Sequence, residues 1–211
     1  MAKTQKQTRS NGETTRGKIL DAAEHLFGNR GFDAVSLREI TDRAEVTLAL
    51  ASYHFGTKDK LFEEVVARRA KVLSDDRLSR LAKLETPTVE SIADAFMAPL
   101  FERASRVDQG WSDYLKVLGR LGESQQWLGV LKTHFDATAT SFIDAFCGVL
   151  PHADRQTVTR SFMMMLDLML ATVSQHGRID QLSDGALRAR DLKGAYGPVL
   201  AFVVAGINAT T

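Results

Sequence analysis

The chain has 211 residues, of which 44% are hydrophobic, and its formal net charge at pH 7 is only +1. That size and composition can fill a hydrophobic core, which excludes a wholly disordered chain. The small net charge disfavours non-specific coating of nucleic acid, because such binding depends almost entirely on basic residues. Any contact with nucleic acid must therefore depend on where the charges lie.

The start of the chain is rich in basic side chains and lacks an apolar run that could form the core of a signal peptide. We expect residues 1–14 to form a disordered basic arm. The longest apolar stretches, 162–173 and 199–207, are shorter than the roughly 20 residues that a membrane span needs. We therefore expect a cytoplasmic protein with no membrane contact.

Two short helices are predicted after the arm. Apolar residues at helical spacing follow Thr15 and stop at Gly31, the residue type that most easily adopts a left-handed cap. Ser36 and Glu39 have the spacing of a capping box, which predicts the start of a second helix that ends near Ala44.

A third short helix and then a long one are predicted next. Thr47 can cap a helix that extends to about Phe55. Gly56 interrupts the pattern before a long charged helix that begins at Lys58 and continues through the seventies. Residues 15–60 are thus expected to form one compact N-terminal domain.

The remaining residues, 61–211, are expected to form a larger helical domain. Helices are predicted over about 88–106, 111–121, 124–149 and 154–176, with a last one ending near Asn208. The segment 177–185 is predicted to be a loop because it is rich in glycine, serine and aspartate. The fold class is therefore all-α, with about nine helices in total.

A short helix, a tight turn and a second short helix, braced by a preceding helix, is the geometry that places one helix in the DNA major groove. The residues at fixed spacing over 16–61 are Arg16, Ile19, Leu20, Ala22, Ala23, Leu26, Phe27, Gly31, Phe32, Ser36, Leu37, Ile40, Ala44, Val46, Tyr53, His54, Phe55, Gly56, Thr57, Lys58 and Leu61. This pattern resembles the DNA-binding domain of the TetR family of transcriptional regulators. The C-terminal part is similar to the family only in length and helical character.

The resemblance implies which residues touch DNA. The third helix would be the recognition helix, and its residues that face base edges would be Thr47, Leu48, Ala49, Leu50 and Ser52. Tyr53, His54 and Lys58 would hold phosphates, for which their N–H and O–H groups are suitable donors. The alternatives are a packed aromatic role for Tyr53 and a local capping role for His54.

Sequence reading by this helix is constrained by its side chains. The apolar residues between Thr47 and Ser52 offer no bidentate hydrogen bonds, so they are limited to contacts such as those with thymine methyl groups. Arg38 would either bond a guanine or hold a phosphate. Two departures from the family pattern bear on the operator sequence: Glu45 stands where a glycine is usual in the turn, and Ser52 replaces a bulkier residue.

Two helices are candidates for a homodimer interface, which such a domain normally needs to bind a palindromic operator. The helices near 154–176 and 190–208 are apolar on more than one face. Their apolar residues include Val158, Phe162, Met165, Leu166, Met169 and Val173, then Val199, Phe202, Val203 and Ile207. The alternative is that these helices are buried inside a monomer.

Aromatic and apolar residues on the central helices predict either a plain core or a pocket for a small hydrophobic effector. The candidate pocket residues are Phe101, Trp111, Tyr114, Leu118, Trp127, Leu131, Phe135 and Asp167. The resemblance to the TetR family favours the pocket. The segments 53–58 and 114–120 are also similar to a branch that includes regulators responding to fatty acids or their CoA thioesters.

No catalytic, metal or cofactor motif is recognisable in the sequence, so we expect neither an enzyme nor a cofactor. The five histidines are scattered, and no zinc-type spacing or glycine-rich phosphate loop is present. The expected function is a sequence-specific transcriptional regulator, namely a repressor released by an apolar effector. The alternative is a helical adaptor or ligand-binding protein without specific DNA readout.

Overall fold

The structure, a computed structural model, describes residues 2–105, 108–122, 124–175 and 177–209. Over these residues it consists of eleven α-helices and one 3-10 turn, Gln125–Trp127, with no strand. The helices are α1 (Ala2–Arg30), α2 (Leu37–Ala44), α3 (Leu48–Phe55), α4 (Lys58–Ala82), α5 (Val89–Ala104), α6 (Gln109–Leu121), α7 (Leu128–His134), α8 (Asp136–Val149), α9 (Arg155–Val173), α10 (Arg178–Leu182) and α11 (Leu192–Asn208). The all-α prediction is confirmed.

Two local differences explain why there are more helices than the nine or so expected. The predicted helix 124–149 is divided into the 3-10 turn, α7 and α8. The main break is at Phe135, whose backbone angles, a φ of −130° and a ψ of −29°, are not helical. The predicted loop 177–185 contains the short helix α10. Apolar spacing continues across the break at Phe135, so periodicity alone does not reveal it.

The N-terminal segment also differs from the expected disordered arm, because α1 is helical from Ala2 onward. No proline interrupts the segment 2–14, and its lysine, glutamine and arginine residues are good helix formers. At the other end, α1 stops at Arg30, and Gly31 has the expected left-handed conformation with a φ of +83°.

The short helices α2 and α3 begin and end close to the predicted residues. The capping box is present: the backbone N–H of Ser36 donates to Glu39 at 2.8 Å, and the backbone N–H of Glu39 donates to the Ser36 hydroxyl at 3.2 Å. Glu45 ends α2 in the left-handed region, with a φ of 56° and a ψ of 44°. The turn between the two helices therefore holds a non-glycine residue in a conformation that favours glycine.

The helix α4 connects the two parts of the molecule, because it packs against α1 and α3 as well as α5, α6, α7 and α8. A second connection is the contact between α1 and α6. Aromatic rings fill the junction: the Trp127 ring lies 4.3 Å from that of Phe62 and 4.8 Å from that of Phe32, centroid to centroid. In the part of the chain that is described, no helix combines the length and the apolarity needed to cross a bilayer.

Candidate DNA-binding surface and effector cavity

The helix α3 is anchored by one face and exposed on the other. Ala51 and Phe55 are buried at 1% and 7% exposure and hold α3 against the domain core. The residues predicted to face base edges, which we call the reading face, are all exposed: Thr47, Leu48, Ala49, Leu50 and Ser52. Leu48 and Leu50 expose 49% and 40% of their surface, so covering this apolar surface with a partner would be favourable.

The two aromatic residues that follow the reading face differ in burial. Tyr53 is 83% exposed, which argues against the alternative of a packed core residue. Its ring lies 5.3 Å from the His54 ring in an edge-to-face arrangement. His54 is half-buried and its ring is 6.1 Å from that of Phe55. Tyr53 therefore presents its hydroxyl to solvent at the end of α3.

Lys58 has a different environment from the other candidate phosphate ligands. Its Nζ donates to the carbonyl oxygens of Phe32 and Val35, both at 3.0 Å, and lies 4.0 Å from the centroid of the Phe32 ring. These contacts hold the connection between α1 and α2 against the start of α4. A direct phosphate contact would require the ammonium group to leave both carbonyls.

Arg38 is exposed in the first turn of α2, and its neighbours fix the orientation of that helix. Glu39 accepts hydrogen bonds from the Ser36 backbone and from Arg30, the latter at 2.6 Å. The bond from the Ser36 backbone, followed by that from Arg30, lowers the pKa of the Glu39 carboxyl from 4.5 to about 2. At neutral pH this carboxylate is ionised and satisfies the N-terminal end of α2.

A mainly apolar cavity of about 200 Å³ lies between the helices of the C-terminal part. Because it is the candidate site for the effector expected from the sequence, we call it the effector cavity. It is lined by Leu73, Arg77, Phe96, Leu100, Leu118, Leu121, Gly122, Leu128, Leu131, Phe135, Thr138, Ala139, Phe162, Met163, Leu166, Asp167, Met169 and Leu170. The break between α7 and α8 lies in its wall, so Phe135 shapes the cavity by ending one helix and starting the next.

The candidate pocket residues divide into two groups in the structure. Leu118, Leu131, Phe135 and Asp167 line the effector cavity. The other four pack at other contacts between helices.

Phe101 lies against Tyr196, Trp111 against Tyr114 and two arginines, Tyr114 donates to the Val66 carbonyl, and Trp127 fills the junction with Phe32 and Phe62. Aromatic composition alone does not distinguish a cavity wall from a solid core.

Arg77 is a cavity residue that the sequence analysis missed. It is only 4% exposed, and burial lowers the pKa of its guanidinium to about 9, so the group is still charged at neutral pH. The run of charged residues around it suggests a solvated surface. A signal was present nonetheless: Val66, Ala70, Leu73 and Arg77 follow one another at helical spacing on the buried face of α4.

The effector cavity is close to the DNA-binding domain. A more polar groove of about 550 Å³ shares Gly122, Asp167 and Leu170 with it and extends to Gly28 and Asn29 at the end of α1. The same helix α6 that lines the cavity is bonded to α1.

Between α6 and α1, Oδ2 of the buried Asp113 lies 2.8 Å from Nδ1 of His25, and its Oδ1 accepts from Asn29 at 3.2 Å. Arg120 donates to the Gly28 carbonyl at 3.3 Å. A displacement of α6 would therefore be transmitted directly to α1.

The candidate dimer helices, α9 and α11, leave apolar side chains uncovered. Met163, Met164 and Phe202 expose 45%, 68% and 72% of their surfaces. The structure corrects part of the predicted residue set, because Val158, Phe162, Met165, Met169 and Val173 are buried in the core of the protomer, as are Val203 and Ile207. The apolar pattern on more than one face therefore divides into residues that pack in the protomer core and residues that remain exposed.

An exposed reading helix on a compact unit of three helices and the start of a fourth defines a helix-turn-helix DNA-binding protein. The family model described as "Bacterial regulatory proteins, tetR family" matches residues 19–65. The model described as "Tetracyclin repressor-like, C-terminal domain" matches residues 94–206, more than half of the chain. The chain belongs to the TetR family of bacterial transcriptional regulators.

Individual relatives agree with this assignment. The chain is 39% identical over 75 residues to the HTH-type transcriptional repressor Rv3405c of Mycobacterium tuberculosis, which is 36% of this chain and 37% of that protein. It is 25% identical over 155 residues to the regulator BetI of Rhizobium meliloti, which is 72% of this chain and 74% of BetI. The chain spans between 26% and 37% of the length of the first curated relatives that it matches.

Solved structures resemble the whole fold. The fatty acid degradation regulator FadR from Bacillus halodurans superposes with a TM-score of 0.64, covering 90% of this chain and 94% of that one at 16% sequence identity. At this identity the likeness concerns the fold alone.

Proposed function

We propose that this regulator is a repressor that binds a palindromic operator in the cytoplasm as a homodimer and is released by a small apolar effector. The observation that carries the proposal is the reading face of α3, where two leucines lie exposed beside the solvent-facing Tyr53. The proposed dimer interface on α9 and α11 would not cover these side chains. Base edges and thymine methyl groups in a major groove would cover them.

Some of the contacts to DNA would read bases, and others would bind phosphates. Thr47, Leu48, Ala49, Leu50 and Ser52 would face base edges, and Arg38 would supply the strongest direct base contact because a guanidinium can bond guanine at two atoms. Tyr53 would donate to a phosphate, with His54 beside it. Lys58 would contribute to DNA binding mainly by holding the loop that connects α1 and α2, given its bonds to two carbonyls there.

Dimerisation would use the exposed residues of α9 and α11. Met164 and Phe202 line a shallow groove between these helices together with Leu168. Burial of such side chains against a second copy is favourable by roughly 25 cal/mol per Å² of apolar surface. A two-fold pair of reading heads would then match the two half-sites of a palindrome.

Release of DNA would depend on the helices that line the effector cavity. Both α4 and α6 line it, and both contact the DNA-binding domain. An effector changes DNA affinity only if it binds one conformation better than the other. Filling the cavity would favour a position of α4 and α6 that changes the separation of the two reading heads.

Selection of bound sequences from a random DNA pool tests the proposal most directly. We expect a palindromic consensus. We also expect Tyr53→Phe to weaken binding to this consensus without changing the unfolding temperature of the protein, because Tyr53 is exposed. Arg38→Ala should relax the preference at one base pair by about 1–3 kcal/mol. If no duplex competes better than random DNA, the proposal fails in favour of an adaptor or ligand-binding protein without specific readout.

A further inference from the structure

The lining of the effector cavity contains one buried cation. Arg77 projects from α4 and is 4% exposed, in a lining made otherwise mostly of leucine, phenylalanine and methionine side chains. Its Nε donates to the Phe96 carbonyl at 2.8 Å, and its Nη2 lies 3.8 Å from the sulfur of Met169. The guanidinium carbon is 3.8 Å from the centroid of the Phe96 ring.

These contacts orient the guanidinium but do not neutralise it. Among the described residues, no carboxylate forms an ion pair with Arg77. The adjacent acid, Asp76, is paired with Arg80 at 3.0 Å and with Arg103 at 2.7 Å. A buried charge without a counter-charge is costly, because the interior does not replace the solvation that the ion loses.

We infer that the effector is an apolar monocarboxylate, or a close anionic equivalent, whose carboxylate pairs with Arg77 while its apolar body fills the cavity. The inference rests on the proposed function for its regulatory meaning, and on Arg77 for its chemistry. A guanidinium fork and a carboxylate match in geometry, and a pair formed in an apolar enclosure is stronger than one in water.

The other charged residue of the lining determines the orientation. Asp167 is exposed where the effector cavity meets the polar groove. Its negative charge disfavours an anionic group at that end, so the carboxylate belongs at Arg77. The volume of about 200 Å³ is below the roughly 300–1,000 Å³ of pockets for drug-sized ligands, so it suits a short or medium aliphatic chain or a single aromatic ring.

Calorimetric titration of the full chain with matched pairs of acids and alcohols tests the inference. The acids are hexanoate, octanoate, decanoate and benzoate, and each is compared with its neutral alcohol. We expect at least one acid to bind the wild-type protein more tightly than its alcohol. Arg77→Met should weaken that acid by about ten- to a hundredfold, because a charge-assisted pair is lost, and should change the alcohol little.

Two further variants keep the result interpretable. Arg77→Met replaces a buried charge by an apolar side chain of similar size, so the fold should persist, which circular dichroism checks. Arg77→Lys retains the charge without the fork and should bind the acid with intermediate affinity. Arg80→Met is the matched control, because Arg80 lies one turn further along α4, outside the cavity lining, and should leave acid binding unchanged.

The outcomes separate this inference from the proposed function. Absence of acid binding to the wild type, or equal loss of acid and alcohol in Arg77→Met, would overturn the carboxylate site whatever the protein does with DNA. Acid binding through Arg77 together with no selected DNA sequence would support the carboxylate site and contradict the proposed repressor function. Acid binding that leaves operator affinity unchanged would refute the effector role alone.

Discussion

Glu45 illustrates how a single backbone conformation can carry both a stability cost and a functional consequence. Its φ of 56° places a side chain with a Cβ in the left-handed region, at the turn that positions α3. That conformation costs roughly 1–2 kcal/mol for residues other than glycine. The side chain also places a negative charge beside the proposed DNA-binding surface.

Replacing Glu45 separates these two effects. Glu45→Gly should raise the free energy of unfolding by about 1 kcal/mol, since relief of the left-handed conformation outweighs the added entropy of the unfolded chain. Glu45→Gln keeps the conformation and should not stabilise the fold. Both should bind operator DNA more tightly because both remove the charge; denaturant unfolding and DNA titration measure the two effects. Equal stabilisation by both variants would contradict the backbone explanation.

Lys58 allows a similar separation of structural and DNA-binding roles. Lys58→Met removes two hydrogen bonds to carbonyls and the contact with the Phe32 ring, so it should lower the free energy of unfolding by about 1–3 kcal/mol. Lys60→Met, at an exposed position of the same helix, should change it little. If Lys58 were chiefly a phosphate ligand, Lys58→Met would leave the free energy of unfolding unchanged. It would instead reduce by about one the slope of log DNA affinity against log salt concentration.

For single residues, the sequence predicts features that depend on near neighbours and does not predict contacts with distant parts of the chain. The capping box of Ser36 and Glu39 and the left-handed cap at Gly31 depend on neighbours within a few positions, so the sequence predicts them. The bonds of Lys58 to a loop far along the chain, and the burial of Arg77 against α5, depend on tertiary packing. A charged side chain in a charged run gives no sign of such partners.

At the scale of elements, the same distinction appears between a helix and its boundaries. The starts of α2, α3 and α4 agree with the sequence prediction. The side chains of Ser36 and Thr57 cap α2 and α4, whereas the Thr47 side chain makes no capping bond at the start of α3. The break at Phe135 was not predicted, because the chain bends there to surround a cavity that involves α4, α5, α6 and α9. The predicted pocket consequently combined true cavity residues with aromatics that pack at other helix contacts.

The contact between α1 and α6 depends on a glycine. A Cβ on Gly28 would lie 2.5 Å from the carbonyl oxygen of Asp113, so the two helices could not keep their separation. Gly28→Ala should lower the free energy of unfolding by about 1–3 kcal/mol and weaken the dependence of operator binding on effector. The measurements are denaturant unfolding and DNA titration with and without ligand.

Gly17 provides the matched control for Gly28 on the same helix. A Cβ there would meet no atom within 4 Å, so Gly17→Ala should stabilise the protein by about 0.5–1 kcal/mol through helix propensity. Similar effects of the two substitutions would show that close packing at Gly28 is unimportant.

At the scale of the whole molecule, the two parts are linked by shared helices rather than by a flexible connection. The helix α4 carries residues of both cores, and α6 lines the effector cavity while it is bonded to α1. The sequence predicted two domains with a boundary near residue 60. It did not predict the extent of contact between them, because charged residues such as Asp113 pair across the boundary with partners far away in the chain.

Homodimerisation is the property of the whole molecule that is most open to test. Phe202 on α11 is 72% exposed, and Phe202→Glu should convert a dimer into monomers and abolish tight operator binding. Leu182 on α10 is 71% exposed but lies outside the α9–α11 groove, so Leu182→Glu should leave the dimer intact. Light scattering after gel filtration measures the mass; a wild-type monomer, or a Phe202→Glu dimer, would contradict the proposed interface.

The position of Trp127 has a practical consequence. The chain has two tryptophans. Trp127 contacts Phe32, which precedes α2, and Phe62 of α4, whereas Trp111 contacts the guanidinium groups of Arg69 and Arg103. A movement of the N-terminal domain away from the C-terminal helices would expose the indole of Trp127 to solvent and shift its fluorescence emission to longer wavelength. The fluorescence of Trp127 would therefore report the proposed movement without an added dye.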